Sequence, residues 1–137
     1  MNRTVNRVFN ITFAYKKRGR KLQANFKPRI VWLIINGKPE EALALLAKNY
    51  KVTTPTLKVG LPKGRKATAF GVYTSKNETI SVLNSDVLIN PLVILHEFYH
   101  HLRSNAVDKQ HRGTEKNADK FAIKFIKAYE VAGTPEN

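Results

Sequence analysis

The sequence predicts an α+β fold, a small and mostly antiparallel sheet packed on two helices, and three observations lead there. Helix-opening signals stand at Pro39, at Asn90-Pro91 and at Thr114. Between the first two lies a strand-like stretch, from Thr56 to Leu83. The order helix, sheet, helix, helix keeps the strands together instead of alternating them with helices, as an α+β domain does. The chain has 137 residues, the size of one domain. That is enough to bury a core without cross-links.

The first 38 residues read as a basic leader. Phe9, Ile11, Phe13 and Tyr15 alternate with polar or small residues, the period of a half-buried strand. Lys16 to Lys21 would be a turn, with a return strand near Leu22 to Phe26; a flexible basic arm fits the same residues. Ile30 to Ile35 is an apolar core segment that stops at Asn36-Gly37, a turn signal. The expected domain then covers 39–132, with 133–137 as a tail. Pro39 at a first helical position, followed by Glu40 and Glu41, opens a helix to about Tyr50, and Ala42, Leu43, Leu45, Leu46 and Ala47 give it an apolar face. Thr56 to Val59 is a short strand before a loop from Gly60 to Gly64. Ala67 to Thr74 and Glu78 to Leu83 flank Ser75-Lys76-Asn77 and read as a hairpin. Gly71 inside the first of these strands signals a bulge or a close backbone approach. Asn90 as N-cap and Pro91 at N1 start a helix to about Ser104. Thr114 caps a final helix to about Ala132, stopped by Gly133 and Pro135.

Composition narrows the chemistry. There is no cysteine, which removes disulfides, thiolate zinc sites and cysteine nucleophiles together. A metal site must use His, Asp and Glu. No secretory signal is legible, because Val8 to Tyr15 is broken by Asn10 and Thr12 and runs into Lys16-Lys17-Arg18. No apolar run approaches the ~20 residues of a membrane span. The expected location is intracellular and cytoplasmic. Lys and Arg number 24 against 10 Asp and Glu, a formal charge of +14. Residues 1–39 carry ten basic residues and no acid. Such a leader is expected to bind nucleic acid weakly and without sequence preference, and its aromatics allow stacking on single strands.

The chemistry is carried by His96-Glu97-Phe98-Tyr99-His100, an HExxH motif. On a helix, residues four apart lie about 40° apart around the axis and one turn along it. Both imidazoles then reach one point, where two ring nitrogens can bind zinc. Glu97 stands beside that point as general base for a water. Composition alone yields this pattern in roughly one such chain in a hundred, so context has to carry the rest. Ile94, Phe98 and Leu102 lie opposite the two histidines and give the helix an apolar back. A catalytic zinc takes three protein ligands and keeps one position open. The third ligand comes from His101, Asp108, His111, Glu115 or Asp119. His101 sits about 140° from His96 around the helix and points away. Asp108 and His111 belong to the intervening loop and stay open as candidates. Glu115 is favoured by its helix: Ala118, Phe121, Ala122, Phe125 and Tyr129 form a buried stripe, Lys116, Lys120, Lys124 and Lys127 form the other face, and Glu115 and Asp119 lie one turn apart on the border. Carboxylates facing inwards need partners, and a metal and a ligand imidazole provide them.

His96-Glu97-x-x-His100 followed by Glu115-x-x-x-Asp119 resembles the gluzincin zinc metallopeptidases, with HExxH and a later ExxxD. Over roughly 39–132 the chain looks like the minimal gluzincins and the ImmA/IrrE-type peptidases. The resemblance implies that His96, His100 and Glu115 bind zinc, that Glu97 activates water, and that Asp119 orients His96 through its other ring nitrogen. It implies hydrolysis of a peptide or protein substrate, lying extended along an edge strand of the hairpin 67–74 and 78–83. The gap from His100 to Glu115 is short beside the larger members, and their oxyanion-stabilising residues have no mapped counterpart; His111, Tyr73 and Tyr99 are the candidates. Metzincins fit poorly, because their third His and their Gly would fall at Ala106 and Arg103. The rival is an SprT-like or nucleic-acid-associated protein with a structural or vestigial zinc site, since His111-Arg112-Gly113 is similar to the SprT third-ligand segment.

Overall fold

A computed structural model describes residues 25–64, 70–105 and 114–132. The expected hairpin or arm before residue 25, the tail 133–137, Ala67 to Ala69 and the loop candidates Asp108 and His111 lie outside these residues.

The fold is α+β. Helix α1 spans Phe26–Ile35. It carries Pro28 in its first turn, where no intrahelical N–H is required. Ile30, Val31 and Ile34 are completely buried, because α1 packs against both the helix that follows it and the C-terminal helix and also touches the HExxH helix. This corrects the leader assigned to residues 1–38: its last part, from Phe26, belongs to the core. Phe26, expected at the end of a return strand, opens the helix and sets its ring edge-on to Phe125 at 6.1 Å. Asn36 ends α1 by donating from Nδ2 to the Trp32 carbonyl at 2.8 Å. Gly37 then turns the chain at φ +79°, where glycine carries no steric cost.

Helix α2 spans Pro39–Tyr50, with Pro39 at its start as expected, and buries Ala42, Leu43, Leu46 and Ala47. Three strands follow: β1 (Thr56–Val59), β2 (Gly71–Thr74) and β3 (Thr79–Val82). Their order is β1-β3-β2. β2 and β3 form the expected hairpin, antiparallel, with Tyr73 opposite Ile80, around a 3-10 turn at Ser75–Asn77. β1 pairs with β3 in parallel, Leu57 beside Ile80. The sheet is therefore mixed and not mostly antiparallel, with β2 on the far edge although it lies between β1 and β3 in sequence. β3 is central and buried along its whole length. With both sides paired it cannot accept another strand, which removes 78–83 from the candidate substrate edges and leaves β2.

Helix α3 (Pro91–Ser104) carries the HExxH motif. The Asn90 side chain accepts from the backbone N–H of Leu92 at 3.1 Å and of Val93 at 3.4 Å. Helix α4 (Glu115–Ala132) starts after Thr114, whose Oγ1 accepts from the Asn117 N–H at 3.1 Å. α3 and α4 pack together, with Phe121 of α4 against Tyr99 at 5.5 Å and Phe98 at 6.5 Å. The small, buried Ala118 and Ala122 of α4 leave room for close helix packing. That approach sets the first turn of α4 over the histidines of α3. No helix among the described residues is long and apolar enough to cross a membrane.

Candidate metal centre

His96 and His100 project from one face of α3, with ring centroids 5.1 Å apart. His96 is 5% exposed and Glu97 7%. Glu115, the first residue of α4, reaches both histidines: its Oε2 lies 2.6 Å from His96 Nε2 and its Oε1 lies 2.9 Å from His100 Nε2. Asp119, one turn later, accepts from His96 Nδ1 at 2.7 Å. Glu97 Oε2 stands 3.9 Å from His96 Nε2. The structure thus brings together the five residues that the sequence singles out around the motif.

One expectation about the carboxylates needs correcting. They do not face inwards: the side chain of Glu115 is 78% exposed and that of Asp119 45%, because they sit on the open first turn of α4. Burial does not force them onto the histidines. The direct contacts, not a desolvation penalty, identify their partners.

The electrostatics follow from this packing. Burial pulls the His96 imidazole down, but the charge of Glu97 and the contacts to Asp119 and Glu115 outweigh it, and the net shift is upwards. A carboxylate on each ring nitrogen favours the doubly protonated ring when no metal is bound. Burial dominates at His100 and lowers it, against the pull of Glu115. Burial also pushes Glu97 up to about 7, partly opposed by His96, with Glu115 adding to the rise and a hydrogen bond from the Tyr73 backbone N–H lowering it. A carboxylate near neutrality suits a general base.

The donor set fits zinc. The ligand atoms of His96, His100 and Glu115 all lie within 4.8 Å of one another. His100 Nε2 is buried without a hydrogen bond of its own, and Glu115 Oε1 stands against it at 2.9 Å as a charge contact. A buried polar atom without a hydrogen bond calls for an explanation, and a metal among two imidazoles and a carboxylate provides it.

A cleft of about 400 Å³ opens beside this cluster, walled by Gly71, Val72, Tyr73 and Ser75 on one side and by Glu97, His100, Ser104 and Glu115 on the other. Gly71 explains its own residue type. A Cβ there would stand 2.7 Å from Val93 Cγ1 and 3.3 Å from Glu97 Cγ, so the close approach expected at this glycine is between β2 and α3. Of the oxyanion candidates, Tyr73 lines the cleft. Tyr99 is 2% exposed and packs against Phe121, and His111 is outside the described residues.

Sequence reasoning set His101 aside because it points away from His96. It does, but into a fully buried position. Its Nε2 lies 2.7 Å from the Thr53 carbonyl and its Nδ1 2.8 Å from the Tyr73 hydroxyl. His101 thereby ties the segment after α2 to the cleft wall. A polar residue on the buried side of an amphipathic helix was the available signal. No family model, no curated protein and no solved structure matches the chain.

Proposed function

We propose that the protein is a zinc-dependent metallopeptidase of the minimal gluzincin type. The observation that carries this reading is the double hold on His96 and His100: Glu115 spans both Nε2 atoms while Asp119 fixes Nδ1 of His96. His96, His100 and Glu115 would hold the ion. Zinc bound there supplies a Lewis acid for the scissile carbonyl and acidifies water. Asp119 keeps the proton of His96 on Nδ1, so that Nε2 is the nitrogen that gives up its proton to become a ligand. Glu97 takes the proton of the attacking water and hands it to the leaving amine.

The substrate would lie along β2. Phe70 O accepts from Leu83 N at 2.8 Å, so by strand alternation Val72 and Thr74 also turn their backbone groups to β3. Gly71 turns its N–H and C=O outwards, and Tyr73 its C=O, the Tyr73 N–H being held by Glu97. An extended peptide can pair with that edge.

The charge supports a second property, nucleic-acid binding. Lys116, Lys120, Lys124 and Lys127 are exposed along one face of α4, in addition to the basic leader.

The deciding experiment pairs metal analysis with hydrolysis. Protein purified without chelator is expected to carry one zinc per chain and to cleave unstructured peptides, with cleavage abolished by chelation. Protein that neither holds nor binds zinc at neutral pH ends this reading.

A further inference from the structure

The wall of the cleft away from the metal cluster has an unusual hydrogen inventory. The Tyr73 hydroxyl lies 2.8 Å from His101 Nδ1 and 3.1 Å from Ser104 Oγ. Ser104 Oγ in turn donates to the His101 carbonyl at 3.0 Å. His101 Nε2 faces the Thr53 carbonyl at 2.7 Å; a carbonyl only accepts, so Nε2 carries the ring's hydrogen and Nδ1 of the neutral ring is an acceptor. Two hydroxyl hydrogens therefore serve acceptors that already lie within the protein. Neither is spare for the cleft, while both oxygens keep lone pairs.

The surroundings have the matching sign. Glu97 lines the same cleft. The Glu78 carboxylate lies just behind the wall, accepting from Asn105 Nδ2 at 3.4 Å, and the same Nδ2 is 3.4 Å from Ser104 Oγ. Among the described residues no lysine or arginine lines the cleft, although the chain holds 24 of them against 10 acids. Away from the metal cluster, the charge felt at the Tyr73 hydroxyl is the negative one of Glu78.

We propose that Tyr73 and Ser104 form a subsite for a cationic, hydrogen-bond-donating substrate side chain, lysine or arginine, next to the scissile bond; this rests on the peptidase reading above. The same inventory argues against Tyr73 as an oxyanion donor, because donating into the cleft would leave the buried His101 Nδ1 only the longer approach of Asn105 Nδ2 at 3.4 Å. His101 is then a positioning residue, which fixes the direction in which the Tyr73 hydroxyl points its hydrogen.

The test uses the full-length, zinc-loaded protein and paired peptides that differ only in lysine against norleucine at one position, moved along the sequence. The expected result is about tenfold higher kcat/KM for the lysine peptide at one register, carried mainly by KM, as one charge-assisted hydrogen bond yields. In Tyr73→Phe and in Ser104→Ala that ratio falls towards one. Ser104 is exposed, so its variant keeps the test open should Tyr73→Phe unfold. Equal rates for the two peptides at every register, or a preference for glutamate, overturn the subsite while leaving the peptidase reading intact. If no peptide is cleaved, the peptidase reading fails separately, and fluorescence anisotropy of the same labelled pairs decides the subsite: tighter binding of lysine peptides, lost in the two variants, supports it, and equal affinity overturns it.

Discussion

Glu97 and Glu115 are both glutamates within reach of His96, and the structure separates their work. Glu97 is buried beside the cluster and Glu115 lies open above it. Glu97→Gln is expected to keep the zinc and lose hydrolysis, because the amide cannot take a proton from water. Glu115→Ala should weaken zinc binding outright, and Asp119→Asn should cost on the order of 10–100-fold in affinity or activity. Calorimetric zinc titration of the three variants, with His111→Ala as the competing ligand, checks the assignment. Wild-type affinity in Glu115→Ala together with loss in His111→Ala would move the third ligand to the loop. The raised pKa of Glu97 makes a further prediction for metal-free protein. Its carboxyl is pushed up to about 7 from an ordinary 4.5, so between those values the folded state holds a proton that the unfolded chain has released. The stability this gives is complete at the acid end and is lost as pH rises towards 7. The upward shift of His96 acts in the same direction at slightly higher pH, and the downward shift of His100 opposes it. Thermal melting without metal should therefore decline from about pH 5 to 7.5, less steeply in Glu97→Gln. A wild type and variant with parallel profiles would show that Glu97 is not desolvated.

At the scale of elements, the site depends on how closely β2 and α4 approach α3. Gly71→Ala tests the first contact. Its Cβ would meet Val93 at 2.7 Å, and overpacking of this kind typically costs about 1–3 kcal/mol. Because the displaced strand carries Tyr73 and its N–H on Glu97, hydrolysis should fall by more than the stability change explains. Melting and kcat measured on the same preparation separate the two, and a variant as active and as stable as wild type would mean that the strand has room to spare. The N-cap of α3 gives a control. Asn90→Ala removes an acceptor for two backbone N–H groups and is expected to cost about 1 kcal/mol, with zinc affinity largely retained because the motif begins more than a turn further on.

For the molecule as a whole, the proposed zinc ligands come together only where α3 and α4 are docked, so an ion bound there would act on the entire folding equilibrium. A metal at about a hundredfold excess over its Kd should raise Tm by on the order of 10 °C, more at neutral than at acid pH because the ligands must deprotonate. The charge of +14 acts at longer range. Binding to labelled DNA is expected to be weak, independent of sequence and steeply dependent on salt. Neutralising Lys116, Lys120, Lys124 and Lys127 should lessen the slope of log affinity against log salt by about 3 to 4 units if all four meet phosphates. An unchanged slope would place the interaction in the leader alone, and no binding at low salt would leave the charge to another partner.

Much of this arrangement was legible in local sequence. Pro39, Asn90-Pro91 and Thr114 act on the backbone beside them, and the spacing of His96 and His100 follows from the pitch of a helix, so helices α2, α3 and α4, their starts and the pairing of the two imidazoles could be read directly. The hairpin and the tight approach at Gly71 were equally local. Other features needed the tertiary structure because they depend on residues far apart in the chain. The apolar run Ile30 to Ile35 says that something is buried, but only packing against α4 and α2 makes it a helix of the core instead of the end of a leader. Strand direction at β1 is set by its partner, and the partner is β3. Glu115 and Asp119 carry no mark of their target in their own segment, since their exposed helix start would suit any acid; the docking of α3 on α4 aims them at His96. His101 shows the same limit most clearly. Its sequence position predicts a side chain turned away from the metal, correctly, while its bonds to Thr53 and Tyr73 join three separate stretches of chain that no periodicity connects.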